Sequence, residues 1–199
     1  MTPVGIARWA WASALVAGAG AVGLAVLRDP EGRAADAELF GLVNRGHGPV
    51  ADAAATAITE MGSLWAVGAA AAAMAAAGLP RQAARAAAAA GTTWLLLQGM
   101  KRLTDRPRPS DADPDATRLM IARPMATSWP SSHPAVLTTF TRVAARELGL
   151  GAPARAALGV LDGAVAASRI YVGVHYPGDV TSGLLIGRAV ARVWPRGRR

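Results

Sequence analysis

The sequence contains no cysteine, and only 17% of its 199 residues are charged. The first absence excludes disulfides, thiolate metal sites and a cysteine nucleophile, and leaves the redox compartment open. Acids are also scarce, 13 against 21 lysines and arginines, so the net charge is +8. Such a charge suits nucleic acid, anionic lipid or a phosphorylated substrate. Because no Lys/Arg run is interleaved with aromatics, we expect no nucleic-acid partner.

Hydrophobic residues, mostly alanine, make up 52% of the chain, and the mean hydropathy of +0.27 is modest for a membrane protein. The distribution of apolar residues must therefore decide the class. Trp9–Leu27 is free of charge and is flanked by Arg8 and Arg28. Its length suffices to cross a hydrocarbon core of about 30 Å. A cleaved signal peptide is the alternative, but the basic region before it is short. We therefore expect a retained membrane helix.

Five further apolar segments follow, at residues 62–79, 83–100, 134–150, 154–168 and 180–194. Together with the first, they predict an all-α bundle of six transmembrane helices, with one or two short surface helices between spans one and two. Arg142, Arg146 and Asp162 weaken the fourth and fifth spans, and the alanine runs also fit a soluble helical hairpin. We expect one membrane-embedded domain over residues 1–199, with a motif-bearing core of about 60–194 and a basic tail of 195–199.

Three polar motifs interrupt this pattern, and they lie at Lys101–Pro109, Pro130–His133 and Ser168–Asp179. With six crossings all three fall on the same side of the membrane. The opposite side receives both termini and two arginine-bearing turns with little compensating acid, as expected for the cytoplasm. The sequence therefore predicts a multi-pass cell-membrane protein with cytoplasmic termini and an extracytoplasmic site.

Together the three motifs suit phosphate chemistry, which depends on positioning and on electrostatic stabilisation of oxygens. Lys101, Arg108 and Arg169 supply three positive charges. The backbone N–H groups of Ser131 and Ser132, just before a predicted helix, form an anion site. Two histidines divide the remaining work, since one can attack phosphorus and the other can protonate the leaving group. No Asp/Glu/His cluster resembles a metal cage, so we expect neither metal nor cofactor. Taken singly, each motif also reads as an ordinary basic loop or turn.

The combined pattern resembles the tripartite signature of the type 2 phosphatidic acid phosphatase (PAP2) superfamily, which also contains vanadium haloperoxidases and bacterial class A acid phosphatases. Its parts are Lys101-x6-Arg108-Pro109, Pro130-Ser131-Ser132-His133 and Ser168-Arg169-x5-His175-x3-Asp179. The resemblance implies a six-helix membrane fold with its site at the non-cytoplasmic face.

The resemblance also implies residue roles. His175 is expected to be the nucleophile that forms a phosphohistidine, Asp179 to orient it, and His133 to be the general acid. The phosphate-binding residues are expected to be Lys101, Arg108, Ser131, Ser132 and Arg169. The family usually has glycine at the position of Ser132, and serine constrains the turn there.

These expectations add up to an integral membrane phosphatase that hydrolyses a lipid phosphate, of the phosphatidic acid, phosphatidylglycerol phosphate or polyprenyl phosphate or diphosphate type, without metal. The alternatives are a lipid-binding pseudophosphatase without activity and a relative acting on soluble substrates, such as a haloperoxidase. Neither the lipid nor the oligomeric state is encoded in these motifs. Arg142 and Asp162 are charged positions deep in predicted spans, so we hypothesise that they approach one another beneath the site.

Overall fold

The structure, a computed structural model, describes residues 3–197, with side chains from residue 6 onward. Arg198 and Arg199, the end of the predicted basic tail, lie outside the described residues. Within residues 3–197 every regular element is a helix, which confirms the all-α class. The helices are α1 Pro3–Arg28, α2 Pro30–Asn44, α3 Pro49–Glu60, α4 Leu64–Ala76, α5 Pro80–Lys101, α6 Pro109–Ala112, α7 Ser132–Glu147, α8 Ala152–Tyr171 and α9 Pro177–Val193.

Six of these helices, α1, α4, α5, α7, α8 and α9, coincide with the six predicted spans. Two helices, α2 and α3, occupy the polar region between the first two spans, as expected. The side chain of Asp29 caps α2 by accepting hydrogen bonds from the N–H groups of Glu31 and Gly32. Ser63 caps α4 in the same way through Ala66. Such caps satisfy N–H groups that a helix start leaves free.

The number of membrane crossings stays a prediction. Among the described residues, one helix, Ile6–Arg28, is long and apolar enough to cross a membrane alone. The pair α3 and α4 passes the same criterion jointly, although the two are bent by 65° at the intervening turn. Because α4 has 13 residues, it spans only about 20 Å.

Helix α7 lies at the centre of the bundle and packs against α5, α8 and α9. Its large residues, including Leu137 and Phe140, form one core with small alanines of α5. Close approach of α9 depends on Gly183 and Gly187, where an added Cβ would lie 2.4 Å and 2.5 Å from the carbonyl oxygens of Ser131 and Ala135. Any side chain there would push α9 away from the start of α7.

The packing gathers four helix ends at one end of the bundle. Helix α5 ends at Lys101, α7 begins at Ser132, α8 ends at Tyr171 and α9 begins at Pro177. Each of the three predicted motifs includes at least one of these ends. The fold therefore brings the three motifs together.

Two charged residues within the predicted spans lie away from the end of the bundle that carries the motifs. Arg142 and Asp162 line the same cavity, at the end of the bundle opposite the motifs. No ion pair of 4.0 Å or less joins them. The two residues therefore line one polar cavity without forming a direct salt bridge, and their close approach stays a hypothesis.

Candidate active site

His175 occupies the turn between α8 and α9 and is 2% exposed. Its Nδ1 lies 3.4 Å from Oδ2 of Asp179, and its Nε2 lies 3.2 Å from a terminal nitrogen of Arg108. A guanidinium can only donate, so Nε2 must be the acceptor of this contact and Nδ1 must carry the proton. This tautomer leaves a lone pair on Nε2 that points toward a cation.

The surroundings of His175 favour its neutral form. Burial lowers the pKa of His175 well below its usual value of 6.5, and the positive charges of Arg108, Arg169 and Lys101 lower it further, as does His133. These residues, drawn from all three motifs, act on His175 because the fold places them around it. A neutral imidazole with an unprotonated Nε2 is the form that a nucleophile requires.

Asp179, in the first turn of α9, is fully buried, and its carboxylate is surrounded by hydrogen-bond donors. Its Oδ2 accepts hydrogen bonds from the N–H of Tyr176, at 2.9 Å, and from the hydroxyl of Ser128. Its Oδ1 lies 2.6 Å from Arg106. These bonds fix the carboxylate beside Nδ1 of His175, so it can orient the ring.

Arg106 is a residue of this site that sequence reasoning missed. It is buried and bridges two acids, with one terminal nitrogen 2.6 Å from Asp179 and the other 2.6 Å from Asp36. Its guanidinium also lies over the ring of Tyr176, 4.4 Å from the centroid. Asp36 in turn accepts a hydrogen bond of 2.7 Å from the N–H of Gly178. Through Arg106, helix α2 is tied to the start of α9.

A sequence signal for this contact existed in α2. Asp36, Phe40 and Asn44 recur at a spacing of four, which places them on one helix face. All three are buried. A polar residue on a buried face needs a partner, and the partner of Asp36 is an arginine inside the first motif.

Lys101 and Arg108 are held by backbone carbonyls of the segment before α7. Lys101 Nζ donates to the carbonyl of Thr127 at 2.6 Å, and Arg108 Nε donates to that of Ala126 at 2.7 Å. Burial lowers the pKa of Arg108, and the charges of Asp179 and Asp111 partly oppose this. Neither Lys101 nor Arg108 forms an ion pair of 4.0 Å or less with a described acid. Buried cations whose hydrogen-bond partners are neutral groups favour an incoming anion.

Several polar atoms of the other two motifs are buried without a hydrogen-bond partner. They are Oγ of Ser131, Oγ of Ser132 and Nε of Arg169. Arg169 is anchored by a bond of 2.9 Å from its Nη1 to the hydroxyl of Thr59. Unsatisfied buried donors are rare in native structures, and three of them from the predicted phosphate-binding set suit an anion with several oxygens.

One detail of the predicted anion site is wrong. The N–H of Ser131 donates to the carbonyl of Asp179 at 3.0 Å, so that amide is not free to bind an anion. The bond instead ties the start of α7 to α9. Ser132 opens α7, and none of the described non-glycine residues has a positive φ. Serine is therefore accommodated without backbone strain where the family usually has glycine.

His133 follows at the second position of α7, at the same end of the bundle as His175. The turn between α3 and α4 packs against it closely, because a Cβ at Gly62 would lie 2.9 Å from that of His133. His47, the remaining histidine, is exposed in the loop before α3 and lies beside the ring of Tyr171. The structure thus groups two histidines with the motifs and separates the third.

Comparison with known proteins agrees with this arrangement. The sequence profile of the PAP2 superfamily matches residues 82–199. Decaprenylphosphoryl-5-phosphoribose phosphatase of Mycobacterium tuberculosis is 36% identical over 94 residues, which cover 47% of this chain and 49% of that protein. The Mycolicibacterium smegmatis protein of the same name is 36% identical over 84 residues, 42% of each chain. The matched region is thus about half the length of these curated relatives.

Two solved structures share the fold. Aquifex aeolicus LpxE superposes with a TM-score of 0.69 at 26% identity, covering 77% of this chain and 90% of that one. The transmembrane PAP2 type phosphatidylglycerolphosphate phosphatase of Bacillus subtilis also gives a TM-score of 0.69, at 20% identity, covering 95% of this chain and 92% of that one. Since the family profile covers more than half of the sequence and includes all three motifs, the chain belongs to the PAP2 superfamily.

Proposed function

We propose that the protein is an integral membrane phosphatase that hydrolyses a lipid phosphate through a phosphohistidine on His175. The observation that carries this proposal is the geometry at His175. The lone pair on its Nε2 is directed at Arg108, and the proton on its Nδ1 is directed at Asp179. Unpartnered donors of Ser131, Ser132 and Arg169 lie buried in the same group of motifs.

In the first step, Nε2 of His175 attacks phosphorus and forms the N–P bond while the bond to the leaving alcohol breaks. The departing oxygen takes a proton from His133. Asp179 keeps the proton of His175 on Nδ1 and stabilises the positive charge that develops on the ring. The equatorial oxygens bind Lys101, Arg108 and Arg169, which is the electrostatic part of phosphoryl transfer.

In the second step, water attacks the phosphohistidine. His133, left neutral by the first step, accepts the proton of the water, and the N–P bond breaks. Inorganic phosphate leaves, and both histidines return to their starting states. The same residue acts first as acid and then as base, as microscopic reversibility requires. The positive charge for the reaction comes from side chains, so we propose a metal-independent enzyme.

We propose a lipid as substrate because of the membrane character of the chain. Helix α1 can cross a membrane, and α3 with α4 can do so jointly. The names of the mycobacterial relatives specify a decaprenyl-linked phosphosugar, and that of the Bacillus subtilis protein a phosphatidylglycerolphosphate. We further propose multiple crossings with the site extracytoplasmic and the termini cytoplasmic, since the described residues that line the cavity opposite the motifs include seven arginines and one acid.

Phosphate release from detergent-solubilised protein in the presence of EDTA tests this function. The substrates are phosphatidic acid, phosphatidylglycerol phosphate, a polyprenyl diphosphate, decaprenylphosphoryl-5-phosphoribose and the soluble ester p-nitrophenyl phosphate. We expect turnover of at least one lipid, total loss in His175→Ala, and full retention in His47→Ala, a matched control outside the site.

Each contrary result identifies an alternative. Equal activity of wild type and His175→Ala would refute the nucleophile. Activity on the soluble ester alone would identify a soluble-substrate relative. Binding of these lipids without turnover of any ester would identify a pseudophosphatase.

A further inference from the structure

A second polar cavity lies at the end of the bundle opposite the motifs. It measures about 690 Å³, and its walls come from α1, α7, α8 and α9. Seven arginines and one acid, Asp162, are among the described residues that line it. None of the proposed catalytic or phosphate-binding residues belongs to it. The cavity is therefore a separate, strongly cationic space.

The innermost charges of the cavity differ in burial, since Asp162 is buried, Arg188 is half-buried and Arg142 is exposed. Arg142 is ten residues into α7, Arg188 is eleven into α9, and Asp162 is nine before the end of α8. At 1.5 Å per residue, all three lie about 14–17 Å from the end that carries the motifs. Charged residues within the helices of a membrane protein normally pair with one another, face a polar cavity or mark a ligand or ion site.

Two of these charged side chains, Asp162 and Arg188, each have an atom without a hydrogen-bond partner. Asp162 is 1% exposed, and its Oδ1 accepts a hydrogen bond of 3.0 Å from the hydroxyl of Thr141. Its Oδ2 has no partner, and neither has the buried Nε of Arg188. Both residues line the cavity. A ligand with negative oxygens and a hydroxyl group would satisfy the arginine and the carboxylate together.

The outer arginines have a structural explanation that the inner ones lack. Arg8 donates to the carbonyls of Arg192 and Trp194, and Arg146 donates to that of Ala191. These bonds satisfy carbonyls that the end of α9 leaves free, and cations are favourable there. Arg142 and Arg188 lie one turn deeper, where no helix end needs them. The preference for arginine on the cytoplasmic side of a membrane therefore accounts for the outer arginines but not for Arg142 and Arg188.

The residues that line the cavity indicate an amphiphilic ligand. Helix α2 packs against both α1 and α8 near the motifs, and its Phe40 forms a cluster with Ile170 there. At the opposite end α2 is absent, and the cavity takes lining residues from both α1 and α8. Apolar Leu15 of α1 and Leu158 of α8 stand beside the arginines. A ligand there meets apolar and cationic groups at once.

We propose that this cavity binds the phosphate head group of an anionic phospholipid. Arg142 and Arg188 contact the phosphate, Asp162 accepts a hydrogen bond from a head-group hydroxyl, and Leu15 and Leu158 contact the start of the acyl chains. Guanidinium groups suit this role because their forked donors match phosphate oxygens. The site is independent of hydrolysis at His175, because a phosphodiester lipid is not the proposed substrate.

The probe is phosphatidylglycerol, compared with phosphatidylcholine, and the readout is the apparent Kd from native mass spectrometry of the full chain in neutral detergent. We expect wild type to prefer phosphatidylglycerol, and Arg142→Gln and Arg188→Gln each to weaken its binding about tenfold. Arg81→Gln is the matched control, since Arg81 is exposed in the first turn of α5 and lies outside the cavity. Arg81→Gln should bind within about twofold of wild type, as expected for a surface charge.

Three outcomes would overturn the proposal. Equal binding of the two lipids by wild type would exclude recognition of the anion. Equal weakening in all three variants would mean general surface attraction. Displacement of the lipid by glycerol 1-phosphate at equal concentration would mean that a soluble phosphate is the ligand. Should a glutamine variant not fold, Arg188→Lys, which retains the charge and loses the fork, is expected to bind several-fold more weakly than wild type, and unchanged binding would contradict the assignment.

Discussion

Replacing Arg106 by methionine tests whether the buried acids of the site depend on one arginine. The side chain of Arg106 is 6% exposed, and its partners Asp36 and Asp179 are 5% and 0% exposed. Removing one member of a buried ion pair typically costs about 3–5 kcal/mol, because the remaining charge is left uncompensated. Here two carboxylates are left, so we expect a loss at the upper end of this range.

For a chain of this length, each kcal/mol shifts the melting temperature by roughly 2–4 °C, so Arg106→Met should lower it by about 10–20 °C. The assay is thermal unfolding in detergent followed by tryptophan fluorescence. Arg123→Met is the matched control, because Arg123 pairs with Asp111 at 2.6 Å but is 63% exposed. Surface pairs contribute only about 0–1 kcal/mol. An equal shift in both variants would refute the account of Arg106.

Three further predictions concern the chemistry and its pH dependence. Ser132→Gly should retain kcat/KM within about tenfold, because the backbone N–H remains and only one hydroxyl contact is lost; inactivity would show that the serine is required. In single-turnover experiments, His133→Ala should slow the phosphorylation of His175 by an alkyl lipid phosphate by about 100-fold or more but its phosphorylation by p-nitrophenyl phosphate far less, because that leaving group needs no proton; equal slowing of this first step would contradict the acid role. Because the pKa of His175 is lowered from 6.5 in the folded protein, the unfolded chain binds the proton first as pH falls, and stability should drop below pH 6.5 by up to about 1.4 kcal/mol per pH unit. Thermal unfolding of wild type and His175→Gln between pH 7.5 and 5 measures this, and identical profiles would contradict it.

The sequence was sufficient to place the six helices that coincide with the predicted spans, because each is an apolar segment bounded by proline, glycine or charge. It also predicted that three distant motifs share one end of the bundle, since crossings alternate sides. Convergence around His175 follows from that topology. The all-α class and the family are confirmed, whereas the crossing number and the residue roles stay predictions.

The contacts that support the site were beyond sequence reasoning because they join residues far apart in the chain. Arg106 meets Asp36 across 70 positions, and nothing in either local pattern specifies the other. Likewise, the amide of Ser131 looked free for an anion because its partner, the carbonyl of Asp179, is on another helix. For Arg142, the sequence predicted only that a charge within a predicted span needs a partner or a polar cavity. Local patterns predict elements, while packing determines partners.

The most direct test of the central claim is to trap the covalent intermediate. Wild-type protein is mixed with ³²P-labelled lipid phosphate, quenched within milliseconds to seconds in alkaline denaturant, and digested for mapping by mass spectrometry. We predict a base-stable, acid-labile phosphate on His175, absent from His175→Ala. Turnover with no phosphoprotein at any time, or a label on another residue, would contradict the proposed nucleophile.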